Sequence, residues 1–544
     1  MKTKLIGIVI LLIVLKILLV LFIPVPLGFS DSLTHIEGAK TFFANPSFSS
    51  AINTQKYTIF PMLISPLLFL KNMNLVYFFI LMLNAIISSL IIFPAYKLAK
   101  EFLKERESIL VAMVIAVLPA IFISSFYVMS EALFSLVLMI TMYVLFKAFT
   151  EKKRKWDILA GIFIGIVILI KTQGIILLFI VFFLLLYILM KKQWIIIKNK
   201  ILLGVSGFFI LLPFLIAKAQ KNGFTLTGIL GYTNEIKNVT HGTNILAKIL
   251  WLFFYTDYVI LVSAIICSFI FILALTKYKQ KSEKEKVFLQ LTFWLIIGTI
   301  LIAANNGSYF SNIEDTRIIG RYVEISLGLL VLSSIIFIND WQNKWDIKKT
   351  ILLLFITITA PFILTKSLFP LNNAGLAHIG VIQIIFQYFN IPIVSLVILI
   401  SIATFLVLRI KNLKQKRFLY FLFLYFLLIS TLSTGMIIYD ANKNWASLEE
   451  VELGQWINAN LEKDATFLID INDMPEIDYR DKPSKVFETK DRPITVIAYW
   501  IYGDYSITNI SEAEEYNYII STQDLKYEIL KKGETIKIYK VNTL

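Results

Sequence analysis

Apolar runs of about 20 residues, the length of helix that crosses a bilayer, recur along most of this 544-residue chain, separated by short polar stretches. The pattern predicts an all-α polytopic membrane domain of about thirteen transmembrane helices. Spans start near Leu5, Leu75, Ser108, Glu131, Asp157, Gly174, Ile201, Tyr258, Val287, Glu324, Ile351, Ile391 and Phe418. The run from Asp157 to Ile170 is short, and Thr172-Gln173-Gly174 has to turn the chain back, because the combined run is too long for one crossing. Tyr57 to Leu70 is apolar but holds Pro61 and Pro66. Its length is that of an interfacial or re-entrant helix, lying along the outer surface.

Beyond Asp440 the pattern changes. Residues 441–544 contain no spanning run and carry 19 acidic against 12 basic side chains, enough chain for a soluble domain with its own core. Ala446 to Leu461 has helical spacing, whereas Thr466 to Ile469, Ile494 to Ile501, Tyr516 to Ile520 and Thr535 to Val541 read as short strands. The expected organisation is therefore a membrane domain over residues 1–440 followed by a C-terminal α/β domain, without a nucleotide-binding glycine fingerprint.

Composition agrees with this class. The chain is 58% hydrophobic and 16% charged, which excludes a soluble globule. A net charge of +15 raises nucleic-acid binding, but the basic residues fall in clusters two spans apart, as the positive-inside rule requires. The clusters are Lys97 to Arg106, Lys152 to Lys155, Lys191 to Lys200, Lys277 to Lys286, Lys344 to Lys349 and Arg409 to Arg417. They put the amino terminus in the cytoplasm and, with an odd number of spans, the C-terminal domain outside. Met1 to Val25 lacks a small-residue cleavage site and reads as a retained anchor. The single cysteine, Cys267, lies within an apolar run, so neither a disulfide framework nor a thiolate cluster can form.

Sidedness gathers the polar residues. The long loops, 26–74, 220–257, 304–323 and 370–390, all fall on the outer face, where long loops commonly carry function. Asp31, His35 and Glu37 lie in the first of them, Glu131 opens a span, Lys171 sits in the tight turn, and Arg321 with Tyr322 precedes another span. Asp31 and His35, four apart, share a helical face that Glu37 does not. Asp31 or Ser30 can equally cap a helix, and Thr34 to Glu37 has the spacing of a capping box. Glu131 suits a helix N-terminus, and Lys171 can snorkel to the interface. Arginine at headgroup depth is suited to gripping phosphate through its planar fork. A carboxylate near two cations fits transfer of a group from a lipid phosphate: the base takes a proton from an acceptor hydroxyl and the cations hold the leaving phosphate. His241 and His378 are isolated, so no metal site is read.

The order and common side of several motifs resemble the GT-C class of integral membrane glycosyltransferases, in the branch of the protein O-mannosyltransferases and lipid A aminoarabinose transferases. The motifs are Asp31 with Glu37, Tyr57 to Leu70 (YTIFPMLISPLLFL), Pro119, Ser130-Glu131-Ala132-Leu133-Phe134, Gly161 to Gly165 followed by Lys171-Thr172-Gln173-Gly174, and Gly320-Arg321-Tyr322. The resemblance implies inverting transfer from a polyprenyl-phosphate-linked sugar to a glycan, lipid or protein acceptor at the outer face of the cell membrane. Asp31 matches the family's first-loop base. Arg321, Lys171 and Tyr322 would bind the donor phosphate, and Glu37, His35 and Glu131 are accessory or acceptor-site residues. The chain has Asp31-Ser32 where the family usually has an acidic pair, and Lys171 where relatives often carry arginine. No organic cofactor is implied; a divalent cation is compatible.

Two other classes compete. A lipid-linked-saccharide flippase or other transporter would place polar groups near the midplane on broken helices, where this chain has chiefly Lys16. A polysaccharide polymerase or ligase would use outer-face arginines without a first-loop aspartate. Separation of Asp31 from Arg321 and Lys171 by more than about 12 Å, beyond the reach of one headgroup, would favour either.

Overall fold

The computed structural model describes residues 2–47, 59–151, 153–192, 194–225, 245–310, 318–341, 350–355, 414–471, 477–478, 490–507 and 510–541, with scattered single positions elsewhere. The expected span near Ile391, most of the 370–390 loop, Tyr57, His241 and His378 lie outside them.

Among the described residues, eight helices are long and apolar enough to cross a membrane. They run Thr3–Val20, Met73–Ala99, Glu131–Glu151, Thr172–Met190, Lys200–Lys221, Ile245–Val262, Glu283–Ser308 and Gln415–Trp445. The span expected near Ser108 is bent by 67° between Glu105–Ala116 and Pro119–Phe126, because Pro119 has no N–H to continue the ladder. Arg154–Ile170 is a separate helix, and Thr172–Ile175 is a 3-10 turn into Ile176–Met190, so the chain does fold back there. A Cβ at Gly174 would lie 2.8 Å from the Ile168 nitrogen, which only glycine avoids.

Two expected outer loops are shorter than the sequence suggests. Helix Ile245–Val262 begins well before Tyr258, and Glu283–Phe310 runs into the 304–323 segment. Their polar residues are tolerated on helical faces packed in the protein rather than facing lipid. The first loop is also largely helical. After α1 (Lys2–Val20), α2 spans Phe29–Ala44, and Ile59–Ile64 continues into a 3-10 stretch, Ser65–Leu70. This short proline-containing unit packs against α2.

The C-terminal part is α/β. Strands β1 (Phe467–Asp470), β4 (Tyr505–Ser506), β5 (Tyr518–Ser521), β6 (Glu528–Lys532) and β7 (Lys537–Lys540) form one sheet in the order β4-β1-β5-β7-β6; β2 (Ile477–Asp478) and β3 (Lys490–Asp491) form a separate pair. β1 is parallel to β4 and β5, while β7 is antiparallel to β5 and β6. The expected helix appears as Glu449–Asn460. The expected strand at Ile494 to Ile501 is instead helix Pro493–Trp500. Apart from Thr495 the run is apolar and has little period to separate the two structures, and Pro493 at the first helical position selects the helix.

Candidate active site

The chain enters α2 through Gly28, whose φ of 89° lies in the left-handed region that glycine adopts freely. The Tyr77 hydroxyl donates to the Val25 carbonyl at 2.9 Å, and the Ser32 hydroxyl donates to the Gly28 carbonyl. The helix starts at Phe29, so Asp31 is in its first turn but is not the cap. Thr34 lies inside the helix, its hydroxyl donating to the Ser30 carbonyl, and no capping box forms there. Those two alternatives are corrected by a helix start that lies upstream of both.

Asp31 is therefore available for other partners. An Arg321 guanidinium nitrogen lies 2.9 Å from Asp31 Oδ2, and a second nitrogen of the same fork lies 3.6 Å from Glu131 Oε1. Lys171 Nζ reaches that same Glu131 oxygen at 2.7 Å. Arg321 also donates toward Met129 Sδ at 3.2 Å. Four residues from four distant segments thus form one alternating chain of charge, Asp31–Arg321–Glu131–Lys171. The Lys171 ammonium lies 5.8 Å from the Tyr322 ring centre and 5.9 Å from that of Phe134, within cation–π range.

Exposure grades along this chain. The Asp31 side chain is 46% exposed, whereas that of Lys171 is only 4% exposed. A cation so far from water does not snorkel, and its burial is compensated by Glu131. Beneath Glu131 and Arg321 a narrow crevice of about 30 Å³ is lined by Ile121, Leu138, Met142 and Leu295, with Glu324 also on its wall.

His35 is buried on the Asp31 face of α2, its ring 5.0 Å edge-on from Phe60. Glu37 points elsewhere, pairing with Lys40 at 3.0 Å. Burial drives the His35 pKa down to about 4, against the pull of Glu131 and Asp31, so its imidazole is neutral at pH 7. Partial desolvation pushes Asp31 up, but Arg321, by charge and hydrogen bond, together with His35 and Lys171 outweighs it and leaves its carboxyl below the usual range.

Glu324 was not marked by the sequence pattern, where it reads only as the start of a span; it is buried and accepts a hydrogen bond from Tyr258. Its spacing three residues after Arg321 was the available signal. Lys16, the mid-span exception, is fully buried, bonded to Ser88 at 2.7 Å and 4.9 Å from the Phe122 ring centre. It is packed between helices.

Among the described residues no three His, Cys, Asp or Glu side chains gather as a metal site. The carboxylates at hand, Asp31 and Glu131, already face Arg321 and Lys171, a poor donor set for a hard dication, which needs several free oxygens.

The lysine-rich clusters that fall among the described residues gather at the other end of the bundle. Glu101 pairs with Lys147 at 2.5 Å and Lys284 at 2.7 Å, and Glu283 pairs with Lys191 and Lys286. Glu131 and Glu151 cap opposite ends of one helix, which at 1.5 Å per residue is about 30 Å long. The site therefore faces away from the basic end, beside the C-terminal domain.

Residues 63–226 match the family model of the dolichyl-phosphate-mannose-protein mannosyltransferases. Structural similarity extends over the whole chain. ArnT from Cupriavidus metallidurans in the apo state superposes with a TM-score of 0.59 at 11% identity, covering 99% of this chain and 98% of that one. The same protein bound to undecaprenyl phosphate gives a TM-score of 0.61, again at 11% identity and with the same coverage. No curated protein sequence matches this one. The chain has the fold of the GT-C class of integral membrane glycosyltransferases, and is a multi-pass membrane protein. The resemblance carried by the sequence motifs holds.

Proposed function

We propose that this protein transfers a sugar from a polyprenyl-phosphate donor to an acceptor hydroxyl, with inversion, at the extracytoplasmic face. The observation that carries it is the convergence of Asp31, Arg321, Glu131 and Lys171 at one membrane edge. The ArnT relative bound to undecaprenyl phosphate supports a lipid phosphate as the leaving group. Arg321 supplies a bidentate fork for that phosphate, Lys171 a second cation, and Tyr322 shapes the wall beside it. The side chains that line the crevice below Arg321 are mostly apolar, the surroundings that the first isoprene units of such a donor need.

Asp31 then acts as base. Without donor its carboxylate occupies Arg321, which makes it ionised but weakly basic. A donor phosphate competes for the same guanidinium, frees Asp31 and raises its basicity where a proton has to be taken. The acceptor oxygen attacks the anomeric carbon, its proton passes to Asp31, and the bond to the phosphate oxygen breaks with its charge held by Arg321 and Lys171. Glu131 keeps both cations in place, and His35 and Glu37 shape the acceptor side. A transporter is less well supported, since the ionisable residues gather at one face and Lys16 is packed.

The proposal is tested by incubating membranes containing the protein with polyprenyl-phosphate-linked hexoses and pentoses and following acceptor mass. A sugar increment that depends on the protein is expected. Donor passage across the membrane without any increment would support the transporter instead.

A further inference from the structure

The helix that carries Asp31 is held from two sides. On the membrane side, Ile36 and Phe29 enter the main core. On the other, α2 packs directly against helix Pro493–Trp500 of the C-terminal domain. Phe29, two residues before Asp31 and fully buried, has its ring centre 5.3 Å from Trp445, 5.5 Å from Tyr499 and 6.4 Å from Trp500. Leu33 packs against both the membrane core and the core of the soluble domain. Lys40 donates to the Ile501 carbonyl at 2.7 Å, while its ammonium also holds Glu37 and lies 5.8 Å from the Tyr505 ring centre. A third tie joins the same domain to the span behind α2, where the Asn458 side chain accepts from the Met73 amide at 2.8 Å.

We infer that the C-terminal domain is a clamp on the base-bearing helix, and that Phe29, Trp500 and Lys40 are positioning residues that set where Asp31 stands relative to Arg321. The physical reason is geometric. Asp31 sits in the first turn, where a helix frays unless it is packed. Its N-terminus is entered through a glycine with no side-chain cap, so no capping side chain anchors its first N–H groups. The aromatic cage around Phe29 replaces the missing cap with packing from another domain. A displacement of about 1 Å at a reacting group is enough to cost two orders of magnitude in rate. The clamp has a sensitive point away from the site. A Cβ on Gly454 would lie 2.4 Å from Trp500 Cδ1 and 3.0 Å from its Cβ, so a methyl there forces the tryptophan or its whole helix to move.

This inference rests on Asp31 being the base, and three full-length variants separate the two claims. Asp31→Asn removes the carboxylate, Phe29→Ala empties the cage and Gly454→Ala disturbs it from the soluble domain; Phe29→Leu is the conservative control. Transfer kinetics, the pH profile and hydrogen exchange over α2 are measured for each, with thermal melting in detergent to verify folding. The clamp predicts that Phe29→Ala and Gly454→Ala lower kcat about ten- to a hundred-fold with little change in KM for the donor. It also predicts faster exchange at 29–36 than in the wild type, an acidic limb moved toward higher pH as Asp31 loses Arg321, and recovery of most activity in Phe29→Leu. Folded Phe29→Ala and Gly454→Ala variants with wild-type exchange over α2 would overturn the clamp, whatever the activity. Wild-type turnover in Asp31→Asn would overturn the base assignment while leaving the exchange result to stand by itself.

Discussion

Asp31 and Lys171 carry opposite charges in opposite surroundings, and the difference governs how each responds to change. Lys171 is sealed in and depends on Glu131. Glu131→Ala leaves a buried cation without its nearest carboxylate, and is expected to cost about 3 kcal/mol of stability, seen as a lower melting temperature in detergent. Arg321→Lys keeps the charge but loses the fork that spans Asp31 and Glu131. Donor affinity is expected to fall about tenfold or more in that variant; unchanged binding of polyprenyl phosphate would show that bidentate contact is not used. His35 provides a pH signature. Its folded pKa of about 4 lies below its ordinary value of 6.5, so between these values the unfolded chain binds the proton and the folded one does not. Stability is therefore expected to fall as pH drops from about 6.5 to about 4, by about 3 kcal/mol in all. His35→Gln should flatten that part of the melting-temperature profile. Asp31 acts in the same sense: its contribution to stability is present above its ordinary pKa and is lost as pH falls through the lowered folded value.

Between elements, the close approach of Arg154–Ile170 and Trp194–Asn222 fixes the turn that presents Lys171. A Cβ at Gly161 would lie 2.0 Å from Ser206 Oγ and 2.1 Å from the Leu203 carbonyl, and Asp157 pairs with Lys200 across the same interface. Small residues four apart let helices pack this closely in membranes. Gly161→Leu is expected to destabilise the protein and weaken donor binding together, whereas Gly204→Ala, with nothing within 4 Å of its Cβ, should do neither. The glycines and the turn were legible because the hydrophobic run exceeds one crossing. Helix Pro493–Trp500 was not, since its eight residues are apolar apart from Thr495 and six of them are buried, which leaves little amphipathic period to read. The helical parts of the first loop were partly legible: the prolines at 61 and 66 marked a short unit, but α2 is polar enough to read as loop. At the site, Asp31, Glu131, Lys171 and Arg321 could each be selected as charges out of place. Their pairing could not, because it joins segments up to 290 positions apart, and Glu324 was hidden by its role as an apparent span start.

For the molecule as a whole, the site and the C-terminal domain share one end and the described basic clusters the other, so one orientation measurement applies to both. We propose the site end to be extracytoplasmic. A membrane-impermeant thiol reagent should label a cysteine placed at exposed Glu528 from outside intact cells, while native Cys267, fully buried, stays unreactive. Labelling only after lysis would invert the topology. The transmembrane scaffold has the GT-C fold, and the chemistry proposed for it rests on one carboxylate. Transfer of sugar from a polyprenyl-phosphate donor by Asp31→Asn, compared with wild type at equal folded protein, is the direct test. Asp31 as the base predicts loss of at least a thousandfold in kcat with donor binding retained, about the upper range of one general base plus its positioning. Turnover within tenfold of wild type would contradict it.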